Sequence, residues 1–436
     1  MSKLSVGAKP LSGSGQHVVR MTLVHDKEGK LLVLLPASSL LNLSALWRLT
    51  GRTLQPVSCA DAQRFFSQEA LNNTWGQKQL FNMPCILDTN LDPAARHDIW
   101  EPITGLRFMA REGWLSESLQ TGGLGLSCEL IESVQTASDT EAITQALERF
   151  TALRVRQRLE ETLGLPAFNQ TTQRMIMLRS DADAEVEDLL KIVKLDPSLS
   201  AQIMSWAASP YYAAPGRVDS VEDAVIRVLG FDLVVNLALG VAMGKIMNLP
   251  DSQVRGATPF WLQSLAMAAL AERLCKKMPA EQRLKPGLAY LSGLLHNFGY
   301  LLLSHLFPAQ FSTLSRYIEA NLHLPFPVVE QQVLNLTRDQ IGAWLLENWS
   351  LPDSVCTAIR YQQDAGFKGT NFLYPCLLRV TSLALREQGL SDGPVESPNP
   401  ADLEALGLSL ERVQQEAALI CASQDALKSL TELFEA

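Results

Sequence analysis

The sequence predicts a multidomain chain, an α/β unit followed by an all-α domain. Three observations carry this. Residues 17–35 (HVVRMTLVHDKEGKLLVLL) place two apolar, β-branched-rich runs around Asp26-Lys27-Glu28-Gly29, the pattern of a β-hairpin. From about residue 138 the chain becomes helix after helix, each with its own start and stop signals. Between 140 and 385 no strand-like alternation occurs.

The elements follow in order. After the hairpin, residues 38–50 read as a helix, and 82–88 (NMPCILD) as a buried strand. This first unit ends near residue 120, with GGLGLS at 122–127 as a joint. Ser138-Asp139-Thr140-Glu141 is a capping box, with Ser at the cap and Glu three residues on. It opens an amphipathic helix carrying Ile143, Leu147, Phe150, Leu153 and Leu159, stopped by Gly164-Leu165-Pro166. Asp196-Pro197 puts a cap residue before a Pro at the first helical position. Asp219 or Ser220 caps VEDAVIRVL, which ends at Gly230. Thr337 and Gln340 form a second capping box. Residues 388–401 (QGLSDGPVESPNPA) read as a linker, followed by an acidic, two-helix tail. The domains are therefore 1–120, a linker and connecting helix over 121–160, a helical domain over 161–385, and linker plus tail over 386–436.

Composition narrows the class. The chain has 436 residues, 47% hydrophobic and 19% charged, as in a globular protein with an ample core. Net charge is −9, without the basic footprint of a DNA binder. Residues 1–120 carry 12 Lys/Arg against 10 Asp/Glu, whereas 386–436 carry 3 against 10. The seven cysteines form no C-x-x-C pair and no secretion signal is visible, so reduced thiols and a cytoplasmic location are expected.

Residues 288–307 (LAYLSGLLHNFGYLLLSHLF) contain no Asp, Glu, Lys or Arg and are long enough to span a bilayer. Two His, an Asn, two Ser and two Gly interrupt the run, and Pro308 ends it, so the central helix of a large soluble domain is expected instead.

Within that stretch His296-Asn297 is one side-chain atom away from His-Asp, a pair able to hold a divalent metal that acidifies water. A neutral Asn neutralises a cation poorly, and the flanking helices at 260–274, 338–349 and 355–363 supply no other His. His296 therefore reads as a hydrogen-bonded core histidine, with a lone retained ligand as the alternative. The literal pairs His25-Asp26 and His97-Asp98 lie in a turn and a polar loop and read as local structure.

Six ordered segments carry a family resemblance: GLPAFNQTTQRMIML, VEDLLKIVKLDPSLSAQIMSWAAS, VDSVEDAVIRVLGFDLVVNLAL, FWLQSLAMAALAERL, YLSGLLHNFGYLLL and IGAWLLENWSLPDSVCTAIRYQQD. Together they make residues 160–385 resemble an HDOD domain, the HD-related output domain of bacterial signalling proteins. Its HD-like half is similar to metal phosphohydrolases. Carried over by position, the metal-site residues of those enzymes fall on Gln263, on His296 and Asn297, near Arg338, and on Tyr361 and Gln362. Only His296 keeps a ligand's chemistry. The family's Asn-Ser pair also departs, with Ala208 before Ser209. The resemblance thus implies a vestigial metal site without metal or cofactor, and a non-catalytic regulator acting on protein partners, with no membrane and no DNA.

Residues 15–115, above all VLLPA, resemble the YbaK/prolyl-tRNA-synthetase-associated deacylases. That likeness implies a ligand-binding Lys in the first strand, which falls on Arg20, and a Gly/Pro loop, here NNTWGQKQLFNMP with only Gly76 and Pro84. Arg does not substitute simply for Lys. An aminoacyl-tRNA deacylase acting on tRNA is the alternative function, and a metal-dependent HD phosphohydrolase the third.

Overall fold

The computed structural model describes residues 18–67, 79–80, 82–110, 114, 119–121, 125–128, 138–150, 170–181, 183–212, 218–246, 250 and 253–435. The expected hairpin forms. β1 (Val18–His25) and β2 (Lys30–Pro36) pair antiparallel from Val19↔Pro36 to His25↔Lys30. Asp26 turns the chain by accepting from the backbone N–H of Glu28 and Gly29 and pairs with Arg52. His25-Asp26 is therefore turn chemistry. In His97-Asp98, His97 meets the Asp92 carbonyl and Asp98 pairs with Arg107.

The remaining strands are β3 (Leu40–Leu41), β4 (Gln55–Pro56), β5 (Cys85–Leu87), β6 (Asp98–Trp100), β7 (Arg107–Met109), β8 (Leu119–Thr121) and β9 (Ser127–Cys128). Seven of the nine make one mixed sheet of order β7-β6-β1-β2-β5-β8, with β4 on the end of β1, while β3 and β9 pair separately. β1 and β2 are largely buried on both faces, consistent with a sheet covered on two sides. The helix expected over 38–50 is shorter. Leu40 and Leu41 are extended, and α1 (Leu43–Thr50) starts only at its Asn42 cap, which accepts from the Ala45 N–H. A tertiary contact holds Leu41 out of the helix: the Asn321 side chain accepts from its N–H and donates to its C=O. α2 (Cys59–Phe65) completes the unit.

Among the described residues, 138–435 contain no paired strand. The helices are α3 (Asp139–Phe150), α4 (Gln170–Ser180), α5 (Val186–Lys194), α6 (Pro197–Ala207), α7 (Val221–Leu229, closing in a π-turn), α8 (Phe231–Ile246), α9 (Phe260–Lys277), α10 (Pro286–Leu295) and α11 (Phe298–Leu306). They continue through α12 (Pro308–Ala320), α13 (Phe326–Leu334), α14 (Arg338–Asn348), α15 (Asp353–Arg360), α16 (Leu373–Glu387), α17 (Pro400–Leu406), α18 (Leu410–Ala422) and α19 (Gln424–Glu435). The caps read from sequence are present at Ser138, Asp196, Ser220 and Thr337. The stop at Gly164-Leu165-Pro166 lies outside the described residues, as does most of the 72–84 loop.

Two further expectations need correction. Residues 288–307 are not one helix but α10 and α11, broken at His296-Asn297. Gly299 follows the break. A Cβ there would fall 1.9 Å from the Arg338 carbonyl oxygen, so α11 lies directly against α14, while Asn297 at the break is non-helical. No single described helix is long and apolar enough to cross a membrane.

The acidic tail makes three helices rather than two, and they pack on the helical domain. α18 and α19 pack on α9, and α17 on α16. Glu416, almost fully buried, pairs with Arg273, and Asp402 with Arg379.

The two units share one interface. α12 and the turn after it meet β1, β4 and α1. The Asn321 amide serves Leu41, Tyr317 Oη contacts Asn42 and Ser44, and Arg255 bridges the Pro56 carbonyl to Glu319. Trp100 meets His323 edge-on at 6.1 Å. Asp139 at the start of α3 accepts two hydrogen bonds from the guanidinium of Arg360 on α15.

Candidate functional site

The break between α10 and α11 opens a cavity walled by α9, α13, α14, α16 and the segment after α16. It is lined by Gln263, His296, Asn297, Arg338 and Gln362, the positions marked by sequence, and also by Asp339, Ser382, Arg386, Ser391 and Asp392. Tyr361 does not line it. Its ring stacks flat on Phe367, 3.9 Å between centroids and 6° apart.

His296 Nδ1 meets the Gly293 carbonyl at 2.8 Å. Burial, with added repulsion from Arg338 and Arg386, pulls its pKa down to about 4 against that carbonyl. The ring is neutral at pH 7, and the neutral tautomer places its proton on Nδ1. Gln362 Nε2 donates to the His296 carbonyl (2.9 Å) and to Asp339 Oδ1 (2.8 Å), tying the turn after α15 to the end of α10 and to α14. Gln263 Nε2 donates to Ser391 Oγ at 2.9 Å.

Arg338 sits at the centre. Its Nη1 donates to Asn297 Oδ1 at 2.7 Å, its other side pairs with Glu330, and its guanidinium lies over Tyr300 and Phe326 at 4.8 and 5.3 Å. Burial alone would lower its pKa, but Glu330 outweighs burial and raises it. A guanidinium held between Asn297 and Glu330 places positive charge beside the position a cation would take, so the arrangement repels a metal. Among the described residues no three His, Cys, Asp or Glu side chains are grouped to ligate one.

Sequence reasoning missed Arg386, Asp339, Ser382, Ser391 and Asp392. The 388–401 stretch read as a linker, yet Ser391 is buried and Asp392 takes both the N–H and the Oγ1 of Thr258 at 2.9 Å. The Asp339 signal was available, since it follows Arg338 at the start of a capped helix.

Asp339 makes a pH prediction. Burial, aided by Glu330, pushes its pKa from 3.8 up to about 7, against the pull of Arg338 and the Gln362 bond. Between pH 4 and 7 the folded state holds a proton that the unfolded state has lost, so this group makes stability fall as pH rises. His296, lowered from 6.5 to about 4, acts in the opposite sense: its contribution is lost as pH falls through the same window. Asp339→Asn keeps the acceptor for Gln362 and removes only the first effect. Urea unfolding should find the variant more stable than wild type at pH 8 by roughly 2–4 kcal/mol. The two should converge near pH 4. A difference constant with pH would show that Asp339 does not titrate in that range.

Arg20 stands elsewhere. Its guanidinium is buried under the helical domain, Nη1 donating to Thr22 Oγ1 and the Ala320 carbonyl (both 2.8 Å), Nη2 to Asn321 Oδ1 (3.0 Å). Burial lowers its pKa to about 9, opposed by Glu101, so it remains a cation. The ligand-binding position implied by the deacylase resemblance is thus occupied by an inter-domain contact.

Comparison with known proteins agrees with the helical half. The HDOD domain model matches residues 165–365. The crystal structure of a "Putative signal transduction protein" from Marinobacter aquaeolei VT8 is 35% identical, covering 100% of this chain and 97% of that one, with TM-score 0.89. The chain belongs to the HDOD-domain family. A second crystal structure, an HDOD domain protein with unknown function from Geobacter sulfurreducens, is 22% identical over 67% of this chain and 99% of its own, with TM-score 0.53, and shares the fold. An "Uncharacterized protein" of Treponema pallidum (strain Nichols) is 25% identical over 285 residues, 65% of this chain, and the chain spans about half that relative's length. The HDOD match leaves the α/β unit outside it, and none of these relatives supports the deacylase likeness of residues 15–115.

Proposed function

We propose that this HDOD protein is a non-catalytic, cytoplasmic regulator of bacterial signal transduction, acting through contacts with other proteins from a metal-free helical domain. The observation that carries the reading is Arg338. Its guanidinium, paired with Glu330 and bonded to Asn297, stands at the HD-type centre where hydrolysis would require a cation and its anionic ligands. The relative of matching length, described as a signal transduction protein, supports the same class. No observation favours tRNA as a substrate, since Arg20 is spent on Ala320 and Asn321.

The test has two parts. Elemental analysis of the purified full chain should find no stoichiometric Fe, Mn or Zn, and phosphodiester and phosphomonoester substrates should stay intact with each metal added. Tightly held metal with turnover would overturn the reading. Crosslinking in the native cells, followed by mass spectrometry, should return a reproducible partner, and its absence under conditions that crosslink known complexes counts against a protein-interaction role.

A further inference from the structure

The HD-type cavity holds a second arginine that pairs with no carboxylate. Arg386, on the last turn of α16, is 9% exposed and lines the cavity. Its one protein hydrogen bond is a long 3.5 Å contact from Nη1 to the Pro394 carbonyl, and its Nε is buried without a partner. The segment Ser391–Pro394 folds over the guanidinium, and only glycine fits at its apex. Gly393 has φ +121°, and a Cβ there would lie 2.9 Å from Arg386 Cζ. A buried, unpaired guanidinium is costly, and proteins compensate such charges with a counter-ion or a specific ligand.

The other charges do not compensate it directly. Glu330 is committed to Arg338 and Asp392 Oδ1 to Thr258, while Glu396 and Asp392 act on Arg386 only through space, without an ion pair. Burial pushes the carboxyls of Asp339 and Asp392 upward, whereas Arg386, lowered only to about 10, stays charged at pH 7. Two hydroxyls border the same space. Ser391 Oγ accepts from Gln263 and so keeps its own proton to donate, and Ser382 lines the wall. About 40 Å³ is free for the centre of a water-sized guest, several times what one water needs.

We propose that the cavity left by the lost metal site binds a small oxyanion of the phosphate class, held by the Arg386 guanidinium and the hydroxyls of Ser382 and Ser391. Arg is suited to this because its planar fork offers paired donors to two oxygens of one phosphoryl group. The inference does not depend on the signalling role above, because binding is read on the purified protein whatever its output.

Equilibrium dialysis of the full chain against radiolabelled orthophosphate, at constant ionic strength in chloride, is the experiment. Wild type should bind about one phosphate per chain, saturably, and Arg386→Gln should bind at least about tenfold more weakly, as loss of a charge-assisted bond requires. Circular dichroism confirms that the variant folds. Ser382→Ala, which removes one hydroxyl, provides a milder variant and should also weaken binding. Competition by glycerol 2-phosphate would assign the site to a phosphorylated small molecule, and lack of competition to free phosphate; both support it. No saturable binding in wild type overturns the proposal, as does unchanged binding in folded Arg386→Gln.

Discussion

Arg338→Met is expected to destabilise the protein by about 3–5 kcal/mol, because it strands a buried carboxylate. Glu330 is fully buried and its side chain takes both the backbone N–H of Arg338 at 2.9 Å and the guanidinium. Met preserves much of the packing over Tyr300 and Phe326 but removes the charge. Glu330 must then stay ionised without its partner, take up a proton, or open α13 to water. Asn297 loses its donor in the same step. The control is the double variant Arg338→Met/Glu330→Leu, which deletes both charges and should recover most of the loss, as apolar replacements of buried pairs do elsewhere. Chemical denaturation measures both. A loss under about 1 kcal/mol in the single variant would mean that Glu330 reaches water, and that the ion pair does not hold the centre of the fold.

This pair also shows where the sequence was readable. Arg338 was placed near the centre by position within six ordered segments, and Gln263, His296, Asn297 and Gln362 converge with it. Capping residues were equally legible, because a cap is a local interaction over three residues. Tyr361 missed the cavity because α15 ends at Arg360: in the turn that follows, Gln362 lines the cavity while Tyr361 stacks on Phe367. The break at His296-Asn297 was hidden for a different reason. No Pro or Gly stands at the break itself, and the close approach of Gly299 to the Arg338 carbonyl is a contact with a helix some forty residues away. The same holds for Ser391-Asp392-Gly393-Pro394. Its composition is that of a linker, and only the tertiary fold shows it covering Arg386.

The inter-domain contact was the least legible feature, and it supplies the second large expectation. Arg20→Met should cost about 3 kcal/mol, because it leaves the Ala320 carbonyl without its buried donor and removes a charged donor from Asn321. Asn321 then keeps only Leu41 and Tyr317, and the turn after α12 loses its anchor to β1. Arg48→Ala, on the exposed face of α1, should change stability by less than about 0.5 kcal/mol. The shape of the transition is the more telling measurement. Apolar residues of the α/β unit and the helical domain join in shared clusters, Leu40 and Cys59 with the helices, Ala320 with the strands. Wild type should therefore unfold in a single urea transition. Arg20→Met should separate it into two, the α/β unit opening first. A single, merely shifted transition in the variant would place the coupling in the apolar contacts and in Arg255, which ties Glu319 to the Pro56 carbonyl. Two transitions would make Arg20 the bolt that lets a change in the α/β unit reach α12.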